Sequence, residues 1–385
     1  MPFSEFNPIR EAVRQSPPLD TSAPYGTDSM AGKTILITGG ASGFGAAFAH
    51  RWAGLGAHIA IGDVNDKAGE ALVAELRDTT PGGKYHFYHH CDVTNWDSQA
   101  AFFKAAVEHS ATGSVHVVVP NAGIADSNSP ANQRGFENPA PYKGPDGVID
   151  ESMGPRAPRM PVADVNVTGV LYTVHLAMYW LPRNDGKDRL ILFLSSIAGL
   201  ISLPGQSLYT MSKHAVTGLF RALRGTSHVH NGLRVNMLCP YFAETNILPT
   251  SGVVILAGSG KTKVDDVVEA GTRFVADQSI AGRAVVIGPR FLLERNGKRV
   301  NGTQDLVAAE DGSITVAGEP ADGEGDASQA IWECYGHDYE NCEVFVDRYV
   351  RLLNLLTLAR GWIGWVSDLV GVFWRGKPAQ KKKQA

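Results

Sequence analysis

The chain holds 385 residues, enough to bury one large α/β core with an extension beside it. Its formal net charge is −4, charged residues make up 19%, and no basic stripe runs through it, which argues against nucleic acid as a partner. Four cysteines without metal-ligand spacing, and no apolar leader in the first dozen residues, set the expectation of a cytoplasmic protein with reduced thiols and no metal.

Residues 1–30 are rich in Pro, Ser and Asp without periodicity and read as an N-terminal arm. A catalytic domain is expected over 31–290. Apolar strands at 34–38, 58–62, 85–90, 115–119, 190–194, 234–238 and 283–287 alternate with helices that end near 56 and span 66–77, 97–110, 162–181, 206–228 and 264–277. That alternation predicts a Rossmann-type, doubly wound α/β fold with a seven-stranded parallel sheet covered on both faces. Segment 125–160, dense in Pro, Gly, Asn and Asp, reads as an inserted surface loop. Segment 240–263 is far more apolar than a solvated loop needs and is expected to close over a bulky, apolar substrate.

Beyond 290 a polar, Gly-rich stretch gives way to an apolar aromatic one, so 291–385 is expected to be a helical C-terminal extension. Tyr349, Leu352, Leu353, Leu356, Ala359, Ile363, Val366 and Val370 recur mostly at three- and four-residue steps, the spacing of one helical face. Two roles fit this stripe: docking on the chain's own core or on a partner copy in a homo-oligomer, or lying on a membrane surface, with the lysines at 381–383 drawn to anionic lipid.

Three features carry chemistry. The turn after the first strand reads Thr38-Gly39-Gly40-Ala41-Ser42-Gly43-Phe44-Gly45 and opens a helix. Glycines there let backbone approach a pyrophosphate, and the helix N-terminus supplies N–H groups. Asp63 ends the second strand, 20 residues after Gly43, where a carboxylate accepts from both ribose hydroxyls of NAD and repels a 2′-phosphate. NAD is therefore the expected cofactor and NADP the alternative; the plainer role for Asp63 is a helix cap. Finally, Tyr209 and Lys213 stand four residues apart on one helical face, with Ser196 at the end of the preceding strand. A phenol is a poor base at neutral pH, and a neighbouring ammonium is expected to lower its pKa while the serine hydroxyl holds the reacting oxygen. By contrast, Gly258-Ser259-Gly260-Lys261-Thr262 resembles the end of a P-loop but has Ile255 where that motif needs glycine, so no nucleoside triphosphate site is expected.

In this order, joined by Asp92-Val93, Asn121-Ala122-Gly123 and Asn166, these motifs resemble the short-chain dehydrogenase/reductase family between Lys33 and about Pro289. The resemblance implies that Tyr209 is the acid/base and that Lys213 binds the nicotinamide ribose. It implies that Ser196 orients the substrate, that Asn166 supports a proton relay, that Asp92 and Val93 contact adenine, and that Asn121, Ala122 and Gly123 back the nicotinamide. Thr245 falls where a threonine commonly touches the carboxamide. Gln206 resembles a substrate-site glutamine of 15-hydroxyprostaglandin dehydrogenase-like members, and fungal secondary-metabolism enzymes look like the nearest type. Tyr241 departs from the family's usual Pro-Gly and is expected to narrow the mouth of the site.

Overall fold

The computed structural model describes residues 15–126, 136–243 and 260–292, apart from 22, 138 and 185–187. Beyond these it describes 305–308, 314–317, 328–335 and the positions Leu352, Leu355, Ala359 and Trp362. Strands β1 (Thr34–Thr38), β2 (His58–Asp63), β3 (Phe87–His90), β4 (Val117–Pro120), β7 (Leu190–Leu194), β8 (Arg234–Pro240) and β9 (Ala284–Leu292) all run parallel. The central ones are apolar throughout because both of their faces are covered. Ile35, Ile37 and Leu192 pack with Phe48, Trp52 and Phe274 on one side, and Leu36, Ile191 and Phe193 with Phe102, Phe103 and Phe220 on the other. The first group of aromatics comes from helices α1 (Gly43–Gly54) and α7 (Val264–Ala276). The second comes from α3 (Trp96–His109) and α5 (Ser207–Leu223). Helix α2 (Asp66–Thr79) flanks β2 and β3, and α4 (Val170–Trp180) follows a π-helical turn, Asp164–Gly169.

The parallel strands lie in the order β3-β2-β1-β4-β7-β8-β9, so the connections change direction between β1 and β4. At such a switch point a crevice opens beyond the strands' C-terminal ends.

Four features depart from the sequence expectation. The sheet has eight strands, not seven: β12 (Ser328–Cys334), from the extension, pairs antiparallel with β9, with Cys334 opposite Ala284. The extension is thus not wholly helical, and its strands β10 (Asp305–Ala308) and β11 (Ile314–Ala317) pair with each other. The insertion contains a hairpin, β5 (Pro141–Lys143) and β6 (Ile149–Pro155), where a loop was expected. Helix α5 stops at Leu223, and a short α6 (Ser227–Asn231) follows; between them the Arg224 guanidinium donates to the carbonyls of Gly282 and Tyr335.

The arm is also docked. Gln15 donates to Gly282 O, the Leu19 N–H to Glu333 Oε2, and Arg273 to the carbonyls of Thr21 and Ala23. Of the C-terminal stripe, Leu352 and Ala359 are described; together with Leu355 and Trp362 they are helical and exposed, and the rest lies outside the described residues. Among the described residues no helix is long and apolar enough to cross a membrane.

Arm, β9 and β12 meet at Arg283, a fully buried side chain that donates to the Ser16 carbonyl and to Glu333 Oε1 at 3.2 Å. Removing one partner of a buried pair leaves an uncompensated charge. Glu333→Ala is expected to cost about 3–5 kcal/mol in denaturant unfolding, and Glu333→Gln, which keeps an acceptor, clearly less. Equal stability of the two variants and the wild type would show that the tie contributes nothing.

Candidate active site

The turn between β1 and α1 closes against the segment after β4. Gly39 has φ +63°, and a Cβ on it would lie 2.6 Å from Ala122 Cα. On Gly45 a Cβ would meet Gly39 O at 2.5 Å and Asn121 Nδ2 at 2.7 Å. Only glycine fits either place. Asn121 Nδ2 donates to Thr38 O and Gly39 O, and the Ala122 N–H to Thr38 Oγ1, so this segment and the turn form one rigid cradle. Gly43 opens α1, Ser42 stands at its cap position without a side-chain cap bond, and Phe44 packs against the core. Those first-turn N–H groups are the donors that an anion would use.

Asp63 is not the cap of α2; Asn65 fills that role by accepting from the Ala68 N–H. Instead, Asp63 Oδ2 accepts from the Ala41 N–H at 3.0 Å and Oδ1 from the Asn65 N–H at 3.0 Å, which fixes the carboxylate at the rim of the turn. Asp92 accepts from the Thr94 N–H and hydroxyl, while Val93 is buried against Gly169.

Across the crevice stand Ser196, Tyr209, Lys213 and Asn166, brought together from β7's end, α5 and the π-turn. The Ser196 hydroxyl lies beside the Tyr209 phenol, accepts from the Ala198 N–H and donates to Pro240 O at 3.5 Å. Lys213 Nζ lies 5.6 Å from the Tyr209 ring centroid and donates to Leu194 O at 3.1 Å. Asn166, 1% exposed, accepts from the Ile124 N–H and donates to Ile124 O and Ser212 Oγ. Gly123 lies between Asn166 and Lys213, since a Cβ there would sit 3.3 Å from Asn166 Oδ1 and 3.7 Å from Lys213 Nζ.

Burial raises the Tyr209 phenol above its ordinary value, and the Ser196 hydroxyl beside it opposes that rise without cancelling it. Burial also pushes the ammonium of Lys213, one helical turn on, down to about 8. A low-dielectric pocket penalises the charged form of both groups.

Gln206 stands at the cap position of α5, and Tyr241 packs edge-on against Phe242 just beyond β8. Thr245 lies outside the described residues, as does most of the loop at 240–263. Sequence reasoning missed Asp126, whose carboxylate accepts from the backbone of the α5 start. No local pattern marks it: Ile124 and Ala125 separate it from Gly123, and its partners are 82 and 83 residues away. Sequence reasoning also missed Ser212, which links Asn166 to the backbone of Tyr209.

The short chain dehydrogenase profile matches residues 33–252, and the chain belongs to that family. It is 34% identical over 278 residues to a 5'-hydroxyaverantin dehydrogenase of Emericella nidulans, covering 68% of this chain and 86% of that protein. To the NAD(+)-named 15-hydroxyprostaglandin dehydrogenase of Homo sapiens it is 29% identical over 219 residues, covering 56% and 70%. The crystal structure of a 3-ketoacyl-(acyl-carrier-protein) reductase from Brucella melitensis complexed with NADH superposes with a TM-score of 0.52 at 25% identity, covering 67% of this chain and 97% of that one. Relatives from Phoma sp. and Cochliobolus lunatus are named NADP-dependent dehydrogenases. The chain is therefore an oxidoreductase that interconverts an alcohol and a carbonyl with a nicotinamide cofactor.

The Ser196 hydroxyl favours the phenolate, so its loss raises the phenol's pKa further. In Ser196→Ala the rising limb of kcat/KM against pH, measured for alcohol oxidation on the residual turnover, is expected to move to higher pH. An unmoved limb would show that the hydroxyl does not tune Tyr209.

Proposed function

We propose that this chain is an NAD-dependent dehydrogenase/reductase interconverting a bulky, apolar secondary alcohol and its ketone. The observation that carries this reading is Ser196 beside Tyr209, with Lys213 one helical turn on, facing a glycine cradle across the switch-point crevice. Gly39, Ser42, Gly43, Phe44 and Gly45 would hold the pyrophosphate side, Asp63 the adenosine ribose, and Asp92 and Val93 the adenine. Asn121, Ala122, Gly123 and Lys213 would hold the nicotinamide side. When bound, the cofactor supplies or accepts the hydride and, oxidised, adds a positive charge to the site.

In oxidation, the Tyr209 phenolate takes the proton of the substrate hydroxyl, and Ser196 donates to that oxygen and holds it in line. Reduction runs the same groups in reverse, with Tyr209 as proton donor. Lys213, brought down to about 8 by burial, is poised to exchange protons near neutral pH, and Asn166 orders the segment beside it.

For the substrate, the apolar sequence of the loop at 240–263 supports a large hydrophobic ligand. The relative named for 5'-hydroxyaverantin supports a secondary-metabolite type. For assembly, the exposed helical positions Leu352, Leu355 and Trp362 support an apolar face for a second copy of the chain. The alternative contact, a membrane surface, rests on the lysines at 381–383, which lie outside the described residues, and co-sedimentation with anionic vesicles at low salt tests it.

Tyr209→Phe is expected to lower turnover by at least about 10²–10⁴ while cofactor binding persists. A panel of secondary alcohols assayed with both cofactors checks this, and wild-type kcat in the variant would remove Tyr209 from the mechanism. Isothermal titration of the wild type should show tighter binding of NAD than of NADP. Asp63→Ala should erode that preference by about 1–3 kcal/mol, the cost of unpairing buried polar groups. Tighter binding of NADP to the wild type would reverse the reading of Asp63.

A further inference from the structure

One charged group at the site takes no part in the chemistry above. Asp126 Oδ2 accepts from the backbone N–H of Leu208 at 3.1 Å and of Tyr209 at 3.2 Å, across 82 and 83 residues of chain. Those N–H groups lie in the first turn of α5, where no helical carbonyl precedes to take them. Gln206, at the cap position, makes no side-chain cap bond. Asp126 therefore caps α5 from a distant segment, with its negative charge at the positive end of the helix dipole.

The same short segment reaches Tyr209 by a second route. Ile124 is bonded through both its N–H and its carbonyl to Asn166, Asn166 Nδ2 donates to Ser212 Oγ at 3.0 Å, and Ser212 Oγ donates to Tyr209 O at 2.8 Å. The Tyr209 peptide is thus held at its N–H by Asp126 and at its carbonyl through Ser212. Tyr209 is the third residue of the helix, where an uncapped end frays first. Asp126 also stands where the insertion begins, directly before residues 127–135, which lie outside the described residues.

We propose that Asp126 is a positioning residue for Tyr209: it locks the start of α5 to the segment after β4 and so sets the phenol's place relative to the cofactor cradle. The proposal rests on Tyr209 being the proton-transfer group. Misplacing a reacting group by about 1 Å can cost about 10²-fold in rate, so a tether of two hydrogen bonds one residue apart has kinetic weight.

Two variants and two readouts test it. Asp126→Ala is expected to lower kcat by about 10- to 100-fold, with the cofactor Kd unchanged within about twofold. Asp126→Asn, which keeps an acceptor oxygen in the same place, should recover kcat to within about fivefold of wild type. Amide hydrogen exchange reads the tether without substrate: in Asp126→Ala the Leu208 and Tyr209 amides should exchange faster, while the later turns of α5 keep their protection. Wild-type kcat or wild-type exchange at those two amides overturns the proposal. So does a joint loss of Tm, cofactor affinity and kcat in both variants, which would mark a role in stability alone. Full turnover in Tyr209→Phe would instead sink the proton-transfer reading and leave the exchange result standing.

Discussion

The fold depends on one buried carboxylate at the end of the sheet away from the site. Asp188, just before β7, receives Lys33 Nζ at 2.9 Å and both Nε and Nη2 of Arg234 at 2.7 Å. Lys33 leads into β1 and also donates to Val275 O; Arg234 begins β8 and also donates to the carbonyls of Phe274, Asp277 and Ile280. Three strands and the end of α7 are thereby pinned together at their N-terminal edge. Burial alone would raise the Asp188 carboxyl, but Arg234 and Lys33 more than offset it and hold it below its ordinary value. With that edge locked, the opposite ends of β1, β4, β7 and β8 have a set register, and the cofactor cradle and Ser196 stand on them.

At those open ends burial acts differently. The bottom of the sheet pairs Asp188 with Lys33 and Arg234, whereas the top buries Tyr209 and Lys213 without a carboxylate partner among the described residues, so both are pushed toward their neutral forms. Lys213 is thereby brought near working pH, while the paired charges at the opposite edge supply stability.

Much of this was legible in the sequence, for physical reasons. The central strands announce themselves because burial on two faces demands apolar runs, and β1 and β7 fall where their runs predict. The Gly-rich turn, Asp63, Ser196, Tyr209, Lys213 and Asn166 lie on elements whose order alone brings them together. The rest depends on partners distant in the chain. Hairpin β5–β6 is mostly exposed and shows no alternation of apolar and polar positions. β12 takes its strand conformation from pairing with β9, across a bulge between Gln329 and Ile331, and not from its own pattern. Spacing puts a lysine near the Tyr209 phenol but does not reveal how deeply both are buried. Asp126 escaped notice because a tether across 82 residues leaves no local signature.

The docking of the arm has a consequence for how the protein is made. Gln15 closes on Gly282 and Leu19 on Glu333, contacts that span 267 and 314 residues of chain. At a synthesis rate of about 5–20 residues per second, the arm emerges from the ribosome roughly 15–60 seconds before Glu333 exists. Until then β9 has a bare outer edge, and an unpaired strand edge is a template for association with other chains. The nascent chain therefore passes through a window in which its dinucleotide-binding core can already form while its sheet stays open, and translation of β12 closes it.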